Sequence, residues 1–302
     1  MAASTSLRDE LGKLMRVFDD PKGFYKDVIE SSDPRVSEWL WMGSPLPTLC
    51  LIILYLGMVY SGPKIMKNRA PFDMKALLFV FNAFIVVLNF WMLWEMTFGM
   101  IDAGYNFICT PMRYSYHPAQ LRIANAIWWY YFSKFIEFSD TLFFILRKKN
   151  DQVTFLHVYH HASMFFLWWI GVKWVAGGQS VLGAWINCLV HVVMYSYYAL
   201  SALGPALKPY LWWKHHITHL QLIQFSLAII HCMHSIYIDC NFPKWMHYTL
   251  LAYATSFIIL FTNFYIHAYI KGKRRGGGGG KKEQVVSQLA NGSVRVEDKK
   301  KR

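Results

Sequence analysis

The sequence predicts an all-α polytopic membrane protein with seven transmembrane helices. Three observations carry that expectation. The 302 residues are 55% hydrophobic and only 16% charged, with a mean hydropathy of +0.22, whereas an average soluble domain carries about 25% charged residues. Seven apolar stretches each approach the ~20 residues that cross a hydrocarbon core. The short segments between them alternate between rich and poor in Lys and Arg. Five Cys, 19 Gly and 11 Pro are ordinary counts at this length, which excludes a collagen, a disulfide-dense mini-protein and a disordered chain.

In chain order, residues 1–45 form an N-terminal segment, and no cleavable signal peptide is expected before the first crossing. Crossings fall near 46–62, 74–98, 121–146, 154–174, 180–203, 215–237 and 245–270, so that 46–270 is one membrane domain. Lys64, Lys67 and Arg69 follow the first crossing, Arg147, Lys148 and Lys149 the third, and Lys208 and Lys214 the fifth. Only Arg113, Lys173 and Lys244 follow the second, fourth and sixth, and the first 44 residues hold six basic against eight acidic residues. This alternation places the N-terminus in a lumen and the C-terminus in the cytosol.

Residues 271–302 read as a flexible basic tail with a Gly276–Gly280 linker; its 11 basic and three acidic residues supply most of the net charge of +13. Such a tail is solvated or lies near anionic lipid, so the charge indicates a bilayer rather than a nucleic acid as partner. Lys299 and Lys300, fourth and third from the end, resemble a dilysine retrieval signal of endoplasmic-reticulum membrane proteins. The Asn291-Gly292-Ser293 sequon falls on the cytosolic side and is expected to stay unmodified. Cys109 and Cys240 sit in lumenal loops, where an oxidising environment permits a disulfide, although the residues alone leave the pairing open. Cys50, Cys188 and Cys232 lie inside crossings and read as buried thiols.

Ionisable groups inside a bilayer are costly and mark function. With a rise of ~1.5 Å per residue, Asp140 and Glu137 lie about 9 and 14 Å below the cytosolic face, and His157, His160 and His161 about 5–10 Å. On the same scale Thr218, Gln221 and Gln224 lie about 5–13 Å deep, and His191 about 18 Å with Asn187 deeper. Spacings of three and four residues put each set on one helix face, as they do Asn187, His191 and Tyr195. Four crossings thus bring polar groups to one zone, expected to be a cavity entered from the cytosol.

His157-x-x-His160-His161 admits two chemistries. Neutral imidazoles bind iron pairs in membrane fatty acyl desaturases, but such sites use about eight ligands; His215-His216-Ile217-Thr218-His219 is the only further box, and His231 and His234 lie near the lumenal end. Alternatively an imidazole acts as nucleophile and base near neutral pH, amides hold carbonyl oxygens, and a carboxylate such as Glu137 or Asp140 orients a ring. Cys188, three residues before His191, would be an alternative nucleophile, though a buried thiol is normally inert. A seven-span carrier or receptor is a third class. It is disfavoured because the polar faces open to one side and the hydropathy shows no inverted repeat.

Lys134-x-x-Glu137-x-x-Asp140-Thr141, His157-x-x-His160-His161, His191-x-x-Met194-Tyr195-x-Tyr197-Tyr198 and Thr218-x-x-Gln221-x-x-Gln224, in this order, resemble the ELO family of very-long-chain fatty acid elongases. The likeness runs from about Asp33 to Ile270. Within it, Trp168 to Gln179 and Asp239 to Met246 look most like the branch handling very long and polyunsaturated chains. The resemblance implies seven helices, six of them an inverted barrel around an acyl tunnel, and a lumenal disulfide between Cys109 and Cys240. It implies condensation of a long-chain acyl-CoA with malonyl-CoA to a 3-oxoacyl-CoA two carbons longer, releasing CO2 and CoA, with no cofactor or metal. Other enzymes of the cycle would act as partners, and a homodimer is left open.

On this reading an imidazole, first choice His161, takes the acyl group, and the malonyl carbanion then attacks it. His160 and His191 hold the oxygens, Asn187 and Gln224 are amide partners, and His157, Lys134, Glu137, Asp140, Tyr195, Thr218 and Gln221 support them. Arg147, Lys148, Lys149, Lys208 and Lys271 would meet the CoA phosphates by charge.

Overall fold

A computed structural model describes residues 18–266 of the chain, and among them every regular element is helical. Among the described residues the full α-helices are, in order, α1 Pro21–Glu30, α2 Leu46–Ile65, α3 Lys75–Asp102, α4 Pro118–Ile136, α5 Phe138–Leu146, α6 Phe155–Val175, α7 Ser180–Ala202, α8 Lys214–Tyr237 and α9 Lys244–Tyr265. Lys271, Lys299 and Lys300, and with them the expected tail and retrieval signal, lie outside the described residues.

Five helices, α2, α3, α7, α8 and α9, are long and apolar enough to cross a membrane. Their outer faces carry Ile53, Leu54, Val80, Val87, Ile223, Ile230 and Ile259, all exposed, as a lipid-facing surface requires. The stretch 121–146, expected as the third crossing, is interrupted at Glu137, which divides it into α4 and α5. There the Asp140 amide bonds back to the Glu137 carbonyl at 3.1 Å, a tightened turn set at a buried carboxylate. Expected crossing four is a single helix, α6, which carries the three histidines in its first half and Lys173 in its last turn. Cys188 and Cys232 are buried as expected, whereas Cys50 is exposed on the outer face of α2.

Neighbouring helices close a circuit. α4 packs on α3, α3 on α7, α7 on α8, α8 on α9, and α6 on α4. Side chains join α6 back to α9: Tyr159 and Ser256 hydroxyls at 3.0 Å, Ser163 and Tyr253 hydroxyls at 2.7 Å, and Trp174 against Trp245. α2 lies outside this circuit against α5 and α6.

One end of the circuit is closed by the segment before α2. Asp33 and Arg35 form a fully buried ion pair, the Asp33 amide donates to the Lys173 carbonyl at 2.9 Å, and Arg35 donates to the carbonyls of Ser115, Gln120 and Ala176. Trp41 sits at φ 67°, a left-handed conformation rare for a bulky residue. It is held there by the Trp169 indole donating to its carbonyl at 2.8 Å and by the rings of Tyr131, Phe132, Phe135 and Phe165 around its own.

At the same end, Cys109 and Cys240 are bonded, joining the α3–α4 loop to the α8–α9 loop across 131 residues of sequence. Gly178, at φ +62°, turns α6 into α7 there; a Cβ on it would stand 3.0 Å from the Thr110 carbonyl. Closing so long a loop removes chain entropy from the unfolded state. Cys109→Ser is therefore expected to lower stability by about 2–4 kcal/mol. Thermal unfolding of the variant, and of the parent with and without reductant, checks this.

Candidate active site

The site begins at the α4–α5 break. Glu137, at that break, and Lys134, one turn earlier, are both buried, and the Lys134 Nζ donates to the Glu137 Oε1 at 2.7 Å. Such a pair survives in an apolar interior only if each charge has its partner. The ammonium also lies 4.5 Å from the centre of the Tyr130 ring. From α7, His191 brings Nδ1 to 3.3 Å from the same Glu137 Oε1 and 3.4 Å from Lys134 Nζ. The carboxylate therefore fixes the ring, and its Nε2 has no protein partner among the described residues. Glu137 Oε2 is likewise buried and unpartnered.

A second cluster joins three helices. The Tyr130 hydroxyl donates to Asn187 Oδ1 at 2.6 Å, and Asn187 Nδ2 donates to Gln224 Oε1 at 3.3 Å. α4, α7 and α8 thus share one polar chain, beside the Lys134–Glu137–His191 cluster through the common Tyr130 and α7. Asp140 accepts from the Tyr195 hydroxyl at 2.6 Å, one turn further along both helices. Gln221 reaches only the Met194 sulfur, at 3.6 Å, and Thr218 is buried without a hydrogen bond from its side chain among the described residues.

The His157-x-x-His160-His161 box occupies the first two turns of α6, opened by Thr154, whose hydroxyl caps the His157 amide at 3.2 Å. Its rings touch in series, here called the imidazole stack: His157 and His161 are 4.4 Å apart between centres with planes 58° apart, and His161 and His160 are 5.1 Å apart and edge-on. His157 Nε2 meets the Thr141 hydroxyl at 2.7 Å. His161 is 6% exposed and walled by Tyr55 and Phe138, and its Nδ1 is buried without a partner. His160 is only half-buried and turns towards Phe257 of α9. His160 packs on Phe257 whereas His161 packs on Tyr55 and Phe138, so the two adjacent histidines look in different directions.

His215, His216 and His219 form their own ring cluster at the start of α8, with centres 3.8–6.0 Å apart. No hydrogen bond or ring contact joins them to the α6 stack among the described residues. Arg147, Lys148 and Lys149 stand at the end of α5, on the side of the site away from the disulfide; Lys148, at φ 55°, donates to the Lys67 carbonyl at 3.0 Å. Lys208 falls in a 3-10 stretch, Pro205–Tyr210, and its side chain lies outside the description, as does Lys271.

Four sequence motifs therefore meet across α4 to α8 in the half of the molecule near Arg147–Lys149. The same four motifs lie inside residues 40–277, which match the sequence model of the ELO (GNS1/SUR4) family. The chain belongs to the ELO family.

Curated relatives within the family agree along most of its length. The chain is 52% identical over 272 residues to very long chain fatty acid elongase 4 of Homo sapiens, covering 89% of this chain and 87% of the relative. It is 48% identical over 255 residues to elongase 7 of Rattus norvegicus, covering 83% and 90%. It is 44% identical over 287 residues to elongase 5 of Xenopus laevis, covering 94% and 97%.

The sequence reading of this ELO-family site missed Tyr130 and Tyr55. Tyr130 lies four residues before Lys134, so extending that helix face backward would have found it. Tyr55 had no such signal, since it reads as one aromatic in an apolar crossing.

Proposed function

We propose that the protein condenses a long-chain fatty acyl-CoA with malonyl-CoA, giving a 3-oxoacyl-CoA two carbons longer with release of CO2 and CoA. The observation that carries this reading is the meeting of the α6 imidazoles, His191 and the Asn187–Gln224 amides in one buried zone of an ELO-family chain.

The reaction runs in two stages. An imidazole nitrogen attacks the acyl thioester, the C–S bond breaks, and CoA leaves as its thiol with the imidazole proton. Malonyl-CoA then loses CO2, the resulting enolate attacks the acyl carbon and forms the new C–C bond as the C–N bond breaks, and the departing imidazolate takes up a proton from water to restore the neutral ring. Exposure supports His160 as nucleophile over His161, the first choice from sequence, because a thioester carbonyl must reach the ring. His191, oriented by Glu137, and the amide of Asn187 or Gln224 stabilise oxygen charge as it develops. An acyl-imidazole hydrolyses readily, so the apolar surround is needed to keep water away.

The circuit of helices supports the reading of seven crossings, six of them a barrel around the acyl chain. Arg147, Lys148, Lys149, Lys208 and Lys271 would draw CoA to a cytosolic mouth. The endoplasmic-reticulum membrane, with the N-terminus lumenal and the C-terminus cytosolic, is the compartment this topology fits, and Lys299 and Lys300 would act there as a retrieval signal. The likeness to very long chain fatty acid elongases 4, 5 and 7 supports very long chains as substrates.

Purified full-length protein given labelled malonyl-CoA is expected to release CO2 only when a long-chain acyl-CoA is also present. Release at the same rate without acyl-CoA overturns the assignment. Varying acyl length in the same assay reads the chain preference.

A further inference from the structure

We infer that Tyr55, on the helix outside the circuit, is a positioning residue for the imidazole stack. The inference rests on the acyl-imidazole reading above and adds a residue to it. α2 is a lipid-facing helix whose only buried residues are Thr48 and Tyr55, seven residues and thus two turns apart on one face. Each spends its hydroxyl inward. Thr48 meets the Tyr131 hydroxyl at 2.7 Å, a contact with no hydrogen-bonded route to the histidines among the described residues. Tyr55 meets the Thr141 hydroxyl at 3.1 Å, and that same oxygen lies 2.7 Å from His157 Nε2.

Among the described residues the side chains of His160 and His161 make no hydrogen bond. The stack His157–His161–His160 is therefore held by polar contact only at its outer ring, and that contact leads through Thr141 to Tyr55. A phenol is a better donor than acceptor, so the chain runs from Tyr55 O–H to the Thr141 oxygen and from Thr141 O–H to His157 Nε2. This keeps the His157 proton on Nδ1 and fixes the tilt of its ring against His161. The Tyr55 ring is itself locked by stacking on Phe138, with centres 4.2 Å apart and planes 22° apart. Without the phenol hydroxyl, Thr141 rotates, His157 samples both tautomers, and the two rings beyond it lose their reference.

The test compares Tyr55→Phe with Thr48→Val in the full chain, since each removes one hydroxyl contact of α2. Tyr55→Phe is expected to lower kcat about tenfold, or ~1.4 kcal/mol, with KM for both CoA substrates unchanged, while Thr48→Val retains the parent kcat. Thr141→Val is expected to match Tyr55→Phe, the double variant to be no worse than either alone, and Thr141→Ser to retain activity. Equal kcat in Tyr55→Phe and the parent, or additive losses in the double variant, overturns the inference. If the parent forms no acyl adduct while Tyr55→Phe still depresses kcat, the acyl-imidazole reading fails and the positioning role stands. Should Tyr55→Phe fail to fold, the Thr141→Val and Thr141→Ser pair decides.

Discussion

Alanine in place of His160 is expected to abolish both the condensation and the acyl adduct, a loss of at least about 10³ in kcat. His160 is half-buried and its side chain makes no hydrogen bond among the described residues, so a thioester carbonyl can reach a ring nitrogen that no other group holds. His161→Ala leaves that nitrogen in place but removes the ring between His160 and His157, so the adduct is expected to form slowly rather than vanish. Intact-mass and peptide mass spectrometry after single-turnover mixing with a long-chain acyl-CoA reads both outcomes. An adduct persisting in His160→Ala and missing in His161→Ala moves the attack to His161, as the sequence reading first had it.

Glu137→Gln is expected to be the most damaging change to stability. It leaves the Lys134 ammonium, 1% exposed, with no carboxylate within reach. Breaking one side of a buried ion pair costs about 3–5 kcal/mol, because the remaining charge is stranded in a low-dielectric interior. Activity falls too, by about 10² or more, since His191 loses the oxygen that orients its ring. The double variant Lys134→Met with Glu137→Gln separates these effects: it removes the stranded charge and recovers most of the stability, yet it stays inactive. Thermal unfolding in detergent read beside the condensation rate checks both. A double variant that regains activity would show that the carboxylate serves the fold alone.

The polar residues of the four motifs were legible because a bilayer interior tolerates them only for a purpose, and helical periodicity grouped them by face. Their partners were less legible. Glu137 and Asp140 were interchangeable candidates for orienting a histidine. In the fold Glu137 serves His191, while Asp140 is taken by Tyr195. The break at Glu137 was hidden because the apolar run continues through it into α5, and hydropathy does not register a change in hydrogen-bond pattern. Within the N-terminal segment the Asp33–Arg35 pair and Trp41 fasten the far end of the helix circuit, contacts across the sequence that no local pattern announces.

The sequence by itself determined the helical class and which side chains would be drawn into one zone, because these depend on composition, period and spacing along each helix, and its motifs carried the resemblance to the ELO family. The tertiary structure alone decided which carboxylate meets which ring, how the two adjacent histidines diverge, and that a hydroxyl 86 residues from Thr141 ends the chain of contacts. Those outcomes depend on how helices rotate and settle against one another, and helix rotation is set by packing between elements that no local pattern records.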